Sequence, residues 1–225
     1  MASYAVAVPD FLGLLRELAE LKPPLFVFGS VAEAALLDGE LSQSHRDLDV
    51  LIPRTELEWR LQQLAVLGFD AFTVYYEPRP GLPLVYGCTR GDLALELCLV
   101  DYDPAGNPFF VVRAEGGAVA ISVPADLFRW PPTVIEGVSI HTLSPLALVH
   151  LRAGASATGA FGPERPGKDD VRQARMIERF FRDADPERLR PTITRSAAAG
   201  SRSLAWASVR ECPPTDPEGS TACRP

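Results

Sequence analysis

The chain has 225 residues, of which 47% are hydrophobic, and a formal net charge of −7 at pH 7. This length can bury a sizeable core, while the acidic balance disfavours a nucleic-acid partner, because binding a phosphate backbone requires a basic surface. The first residues lack the basic segment of a signal peptide, and no apolar run approaches the roughly 20 residues of a membrane span. We therefore expect a cytoplasmic protein that contacts no membrane, with its oligomeric state left open.

The first predicted elements surround a Gly-Ser dipeptide. Residues 10–21 predict an amphipathic helix, residues 25–28 an apolar strand and residues 31–37 a second helix. Gly29 and Ser30 therefore open the N-terminus of that second helix. The first backbone N–H groups of a helix have no partner within it and lie at the positive end of its dipole, so this turn suits a phosphate.

Two aspartates lie on the next predicted strand, residues 47–52. Side-chain alternation sends the apolar residues of this strand to one face and both Asp47 and Asp49 to the other. Adjacent carboxylates repel each other unless a cation separates them. Mg²⁺ prefers oxygen ligands and often completes its shell with substrate phosphates, so the pair predicts a Mg²⁺ site beside a phosphate.

A histidine, His45, lies two residues before Asp47. It could orient a phosphate or a metal ligand, or it could be a solvated residue at the entry to the strand. We expect His45 to be a solvated residue.

A helix and two strands follow the aspartate strand. Thr55–Glu58 has the form of a capping box and predicts a helix that runs to Leu67, with Gly68 ending it. Residues 72–76 and 84–88 predict strands on either side of a proline-rich turn.

A third acid, Glu96, lies within the predicted strand 92–100, among apolar neighbours. A glutamate buried in a strand without a partner is costly or stays protonated. A metal ion or a basic substrate group nearby is therefore the better explanation. If the register of the strand differs, Asp92, Asp101 or Asp103 would be the third acid instead.

The last third of the chain predicts short strands and two helices. Strands are expected at residues 109–112, 118–123 and 138–141. Ser144-Pro145 predicts the cap and first position of a helix over 146–152, and the small-residue stretch 153–167 predicts a mobile loop.

A helix is then expected from Lys168 to about Arg182, with a broad apolar face that includes Val171, Ala174, Met176, Ile177, Phe180 and Phe181. Of the four cysteines, Cys88 and Cys98 lie in strand-like runs and are expected to be core thiols without a disulfide, whereas Cys212 and Cys223 lie in the last part of the chain.

The order of these motifs resembles a known superfamily. A Gly-Ser turn, a helix, an Asp-x-Asp strand and a later acidic strand resemble the nucleotidyltransferase superfamily that includes DNA polymerase β. The block from Phe28 to Ile52 is similar to the lincosamide and aminoglycoside nucleotidyltransferase branch. The resemblance and the predicted elements together give an α/β fold with a mixed sheet packed by helices. Residues 1–142 would form the nucleotidyltransferase core, 143–205 a C-terminal helical extension and 206–225 a disordered tail.

The resemblance also implies a reaction. The enzyme would move a nucleoside monophosphate onto a hydroxyl of a small-molecule acceptor such as an antibiotic. The donor would be ATP, which supplies AMP, or another nucleoside triphosphate. Asp47, Asp49 and Glu96 would be the catalytic and metal-binding residues, holding two Mg²⁺ ions about 3.5–4 Å apart. Glu96 would accept the proton of the acceptor. The family more often has Asp at this position, so Glu96 is a departure from its pattern.

By the same resemblance, Gly29 and Ser30 would hold the outer phosphates of the nucleotide. Lys168, at the start of the C-terminal helix, would be a further triphosphate contact, with Arg165 as a weaker candidate. The alternative for Lys168 is an exposed lysine with no such role.

Two other functions remain open from the sequence. One is a toxin-type nucleotidyltransferase that modifies tRNA or protein, which the acidic charge disfavours for tRNA. The other is a non-catalytic nucleotide-binding relative, which the two adjacent aspartates disfavour.

Overall fold

The structure is a computed structural model, and the residues that it describes are 8–41, 45, 47–76, 85–114, 117–158 and 166–195. Within these ranges no helix is both long and apolar enough to cross a bilayer. The helices of the described residues are α1 (Val8–Ala19), α2 (Gly29–Leu37), α3 (Leu57–Val66), α4 (Pro145–Thr158) and α5 (Pro166–Phe181). The strands are β1 (Phe26–Val27), β2 (Leu48–Pro53), β3 (Asp70–Tyr76), β4 (Val85–Arg90), β5 (Leu93–Tyr102), β6 (Pro108–Ala114), β7 (Gly117–Ser122), β8 (Thr133–Ile135), β9 (Val138–Thr142) and β10 (Ile193–Arg195).

All the described strands belong to one mixed sheet. Its main path runs β10-β7-β6-β5-β2-β1-β9-β8, and β4 extends from β5 to carry β3. The pairs β2–β5 and β1–β9 are parallel, whereas the other pairs are antiparallel. The predicted α/β fold with a mixed sheet and packed helices is confirmed.

The sheet has different cover on its two faces around the aspartate strand. Leu15 and Leu18 of α1 line a small cavity together with Val27 and Val50, the paired residues of β1 and β2. Because successive side chains of a strand point to opposite faces, Asp49 projects away from α1. Helix α2 contacts α4 and α5, and it begins next to Asp49, as described below.

Two of the predicted helix caps have different outcomes. Ser144 caps α4, since its Oγ accepts a hydrogen bond from the backbone N–H of Ala147 at 3.3 Å. The prediction of a capping box at Thr55–Glu58 is wrong. A 3₁₀ turn at Arg54–Glu56 precedes α3, and Glu56, the N-cap residue of α3, forms no side-chain capping bond. Gly68, with a φ of +83°, follows α3 as predicted.

The mobile loop predicted at residues 153–167 is wrong for residues 153–158, which continue α4, and for 166–167, which begin α5. Residues 159–165 lie outside the described residues. Gly154 explains the error. A Cβ at Gly154 would lie 2.6 Å from Cγ2 of Ile121, so the glycine lets α4 approach β7 closely. The small residues serve packing rather than mobility.

The apolar face of α5 is narrower than predicted. Val171 is 60% exposed and Ala174 is also exposed, whereas Met176 is buried. Phe180 packs edge-on against Trp130. Elsewhere in the core, the two central cysteines, Cys88 and Cys98, are buried free thiols as expected, while Cys212 and Cys223 lie outside the described residues.

Candidate active site

Three carboxylates meet on the face of the sheet that α1 does not cover. One carboxylate oxygen each from Asp47, Asp49 and Glu96 lies within 4.8 Å of the others. Strands β2 and β5 are parallel neighbours, and their register places Asp49 opposite Glu96. Asp47 directly precedes β2 and lies two residues from Asp49, so it reaches the same face. We refer to these three residues as the acid cluster.

The three carboxylates of the acid cluster repel one another, and their environment raises the pKa of two of them. Burial, followed by repulsion from Asp47, Glu96 and Glu33, raises the pKa of Asp49 from 3.8 to about 8. Burial and then Asp47 also raise the pKa of Glu96. Because like charges at short distance disfavour the ionised form, a bound cation would stabilise these carboxylates. The donors are all carboxylate oxygens, the ligands that Mg²⁺ prefers.

The other acids proposed as the third carboxylate lie elsewhere. Asp101 forms two hydrogen bonds with the guanidinium of Arg54, from Nε to Oδ1 at 2.6 Å and from an Nη to Oδ2 at 2.8 Å. Asp103 accepts hydrogen bonds from Asn107 within its own turn, and these lower its pKa. Asp92 is exposed in the turn before β5. The structure thus groups Glu96, rather than any of these three, with the two aspartates.

The Gly-Ser turn lies against the acid cluster. The backbone N–H of Phe28 donates to the carbonyl of Asp49 at 3.0 Å, which fixes the end of β1 beside that residue. Gly29 has a φ of +66°, and a Cβ at this position would collide with Oδ2 of Asp49. A residue other than glycine would therefore be strained and would displace the carboxylate. The N-cap side chain, that of Phe28, forms no capping hydrogen bond with α2.

The expectation that His45 is solvated is wrong. His45 is only 6% exposed, because α1 covers it: Phe11 stacks on His45 with centroids 5.2 Å apart and planes inclined by 25°. Nδ1 of His45 lies 3.4 Å from Oγ of Ser30. The sequence offered no local signal for this contact, since Phe11 belongs to a distant helix.

No protein-family model matches the chain, and no curated protein matches its sequence. Solved structures do match its fold. The lincosamide antibiotic adenylyltransferase LnuA, lincomycin-bound, has a TM-score of 0.51 and 16% identity over 77% of this chain and 98% of its own. ANT(2″)-Ia in complex with adenylyl-2″-tobramycin has a TM-score of 0.52 and 14% identity over 76% and 87%. The solution structure of the antibiotic-resistance factor ANT(2″)-Ia has a TM-score of 0.52 and 17% identity over 80% and 85%.

The chain has the nucleotidyltransferase fold. The fold-level resemblance inferred from the motifs is therefore confirmed, over most of the chain.

Within this nucleotidyltransferase fold, one buried ion cluster was not predicted. Glu33, one turn after the start of α2, is buried and accepts hydrogen bonds from Nε of Arg152 at 2.7 Å and from an Nη of Arg152 at 2.6 Å. Arg172 of α5 lies 4.0 Å from the same carboxylate. These three residues, the Glu33 cluster, join α2 to α4 and α5. A lone glutamate among the apolar residues 31–37 was the available signal.

Lys168 is the third residue of α5, so the predicted helix start is close to the observed one. Its side chain and the whole of Arg165 lie outside the described residues. Their contact with a triphosphate therefore stays a prediction.

Proposed function

We propose that this protein is a Mg²⁺-dependent nucleotidyltransferase that transfers AMP from ATP to a hydroxyl of a small-molecule acceptor. The observation that carries the proposal is the acid cluster itself, with three carboxylates converging beside a helix N-terminus. A structural role alone gives no reason to group three half-buried, mutually repelling carboxylates, since their repulsion opposes folding. The likeness in fold to two adenylyltransferases supports the same reaction class.

The residues at the start of α2 would bind the nucleotide. Gly29 lets the backbone come close to the acid cluster, so a triphosphate held by the first N–H groups of the helix would lie beside the metal ligands. The Ser30 hydroxyl would add a side-chain contact. In this arrangement the α-phosphorus would lie near the carboxylates rather than near the distal end of α2.

The acid cluster would hold Mg²⁺, which when bound supplies charge neutralisation at the triphosphate and at the attacking oxygen. Glu96 would accept the proton of the acceptor hydroxyl while that oxygen forms a bond to the α-phosphorus and pyrophosphate leaves. Its raised pKa suits this role, because a general base is most effective when its pKa lies nearer to the working pH. The remaining contribution of the chain is positioning.

The acceptor would be a small cationic or neutral molecule. The net charge of −7 favours such a substrate over nucleic acid. Among the proteins of similar fold, one is lincomycin-bound and another carries adenylyl-2″-tobramycin. Lincosamides and aminoglycosides are accordingly the first acceptors to test.

The test uses purified protein, Mg²⁺ and ATP that is labelled either at the α-phosphorus or at the γ-phosphorus. Pools of aminoglycosides, lincosamides and tRNA serve as acceptors. We expect the α-label to appear on a small molecule together with pyrophosphate, and the γ-label to appear on none. Transfer of the γ-label would indicate a kinase, and transfer of the α-label to tRNA alone would contradict a small-molecule acceptor.

Two acid-to-amide variants provide a matched control. Asp49→Asn should abolish labelling, whereas Asp103→Asn, which alters an exposed loop outside the acid cluster, should retain it. Equal labelling by both variants would contradict the assignment of the site.

A further inference from the structure

The contact between His45 and Ser30 joins the two halves of the proposed site. Ser30 is the second residue of α2, and His45 lies just before the strand that carries Asp49. Nδ1 of the buried His45 ring is 3.4 Å from the Ser30 Oγ. A single side chain thus connects the entry to the aspartate strand with the phosphate-binding turn.

The orientation of the His45 ring is set by stacking. Phe11, itself buried in α1, lies nearly parallel to the ring with centroids 5.2 Å apart. Stacking fixes the plane of the imidazole, and within that plane the edge carrying Nδ1 faces Ser30. A contact held by packing on one side and a hydrogen bond on the other costs little further entropy when a ligand binds.

The contact matters because a serine hydroxyl can both donate and accept hydrogen bonds. The hydroxyl has one proton and two lone pairs, and it rotates freely about its Cβ–Oγ bond. A phosphate oxygen can only accept, so Ser30 binds it well only when the proton of its hydroxyl points toward the phosphate. An N–H donor directed at the Ser30 oxygen occupies a lone pair and leaves the proton available.

We infer that His45 is a positioning residue for triphosphate recognition: its Nδ1–H donates to the Ser30 Oγ and thereby directs the Ser30 hydroxyl proton at the outer phosphates of the nucleotide. The inference rests on the proposed function, because it assigns Ser30 to the nucleotide. Loss of the hydrogen bond should weaken triphosphate binding by about 3- to 10-fold, the range that a net hydrogen bond of this kind supports.

Three variants of His45 separate the hydrogen bond from the packing. His45→Phe keeps an aromatic ring for the stack on Phe11 and removes the nitrogen. The side-chain amide of Asn can occupy the position of Nδ1, whereas that of Gln reaches the position of Nε2. His45→Asn should therefore retain much of the triphosphate affinity, and His45→Gln should lose it as His45→Phe does.

The measurement is calorimetric titration with a non-hydrolysable ATP analogue in the presence of Mg²⁺, with AMP as the second ligand. We expect His45→Phe to weaken the analogue and to leave AMP affinity nearly unchanged, since AMP lacks the outer phosphates. A general disturbance of the fold would weaken both ligands. In a Ser30→Ala background, His45→Phe should have no further effect, because the hydroxyl that it orients is gone.

Two outcomes overturn the inference in distinguishable ways. If the unmodified protein binds neither ligand, the proposed function fails and the inference fails with it. If the protein binds the analogue, but His45→Phe weakens it equally with and without Ser30, the proposed function stands and the positioning role is wrong. Should His45→Phe not fold, the Asn and Gln variants decide: equal affinities refute the inference, and selective retention by Asn supports it.

Discussion

Two acidic sites lie near the first turns of α2, the Glu33 cluster and the acid cluster, and they differ in what faces their carboxylates. In the Glu33 cluster, a buried carboxylate receives two hydrogen bonds from Arg152 and has Arg172 nearby. In the acid cluster, Asp47, Asp49 and Glu96 face one another, and the pKa of Asp49 rises to about 8. In the sequence, the carboxylates of both clusters are acidic residues within largely apolar runs.

This difference shows that the groups facing a carboxylate indicate whether it stabilises the fold. A carboxylate that is matched by arginine is satisfied within the fold, so its removal exposes an unpaired cation. Carboxylates that face one another repel, so removing one should relieve repulsion and lower activity without lowering stability. The same chemical change, from acid to amide, should therefore have opposite effects on stability at the two places.

The largest expected effect is on transfer by Asp49→Asn. This variant removes a metal ligand, and we expect transfer to fall by a factor on the order of 10³ or more, as loss of several kcal/mol of charge stabilisation implies. Its thermal stability without metal should be unchanged or raised, because repulsion from Asp47 and Glu96 is relieved. Labelled-AMP transfer and calorimetric unfolding measure the two quantities. Near-normal turnover in saturating Mg²⁺ would refute the metal assignment.

A smaller effect is expected for Glu96→Gln, which should bind Mg²⁺ and ATP almost normally yet lose transfer by a factor on the order of 10²–10⁴. The reason is that Asp47 and Asp49 would still hold Mg²⁺ at the triphosphate, whereas Glu96 would act on the acceptor. Single-turnover kinetics separates binding from chemistry.

Asp101→Asn is the matched control for Glu96→Gln, since Asp101 lies on the same strand. It should lower stability by leaving Arg54 without its charged partner, while transfer per folded molecule is kept. A loss of transfer in Asp101→Asn but not in Glu96→Gln would exchange the two roles.

Substitutions in the Glu33 cluster should change the stability of the protein rather than its activity. Glu33→Gln should lower the free energy of unfolding by about 3–5 kcal/mol, the cost of breaking a buried ion pair. Urea denaturation without Mg²⁺ measures it. A second variant, Glu33→Gln with Arg152→Gln, should recover part of the loss because no charge is then left unpaired at this pair. Stabilisation by Glu33→Gln would mean that the Glu33 cluster and the acid cluster do not differ as described.

The sequence predicted the acid cluster well because its signals are local. Asp47 and Asp49 share a face through strand alternation alone, and Glu96 stands out within one apolar strand. The parallel pairing of β2 with β5 then brings Asp49 and Glu96 side by side. Two local patterns and one sheet pairing are enough to group these three carboxylates.

The remaining features depend on contacts between distant residues, for which single-sequence patterns carry little information. Arg152 lies 119 residues from Glu33, and nothing local pairs them. His45 is buried by Phe11 of α1, and Gly154 lies inside α4, where its missing side chain lets the helix approach Ile121. In each case tertiary packing overrides the local composition.

The pH dependence of stability sharpens the comparison further. The pKa of Asp49 is raised from 3.8 to about 8 in the fold, so its favourable contribution is fully present below 3.8 and is lost as the pH rises toward 8. Without metal, the protein should lose stability over this window, and Asp49→Asn should show a shallower slope. Mg²⁺ should flatten the slope of the unmodified protein. Parallel slopes for protein and variant would contradict the raised pKa.

The smallest expected effect concerns which arginine neutralises Glu33. Arg172 lies 4.0 Å from the Glu33 carboxylate, whereas both hydrogen bonds from Arg152 are 2.7 Å or shorter. Arg172 is the more distant of the two cations, so Arg172→Gln should lower the free energy of unfolding by less than Arg152→Gln does. Arg152→Gln, its matched partner, should approach the cost of Glu33→Gln, because it leaves a buried carboxylate without its hydrogen-bonded cation. Urea denaturation of both variants at low ionic strength measures the difference. Equal losses would show that α5 holds α2 as firmly as α4 does, and the Glu33 cluster would then be a three-way junction rather than a pair with a neighbour.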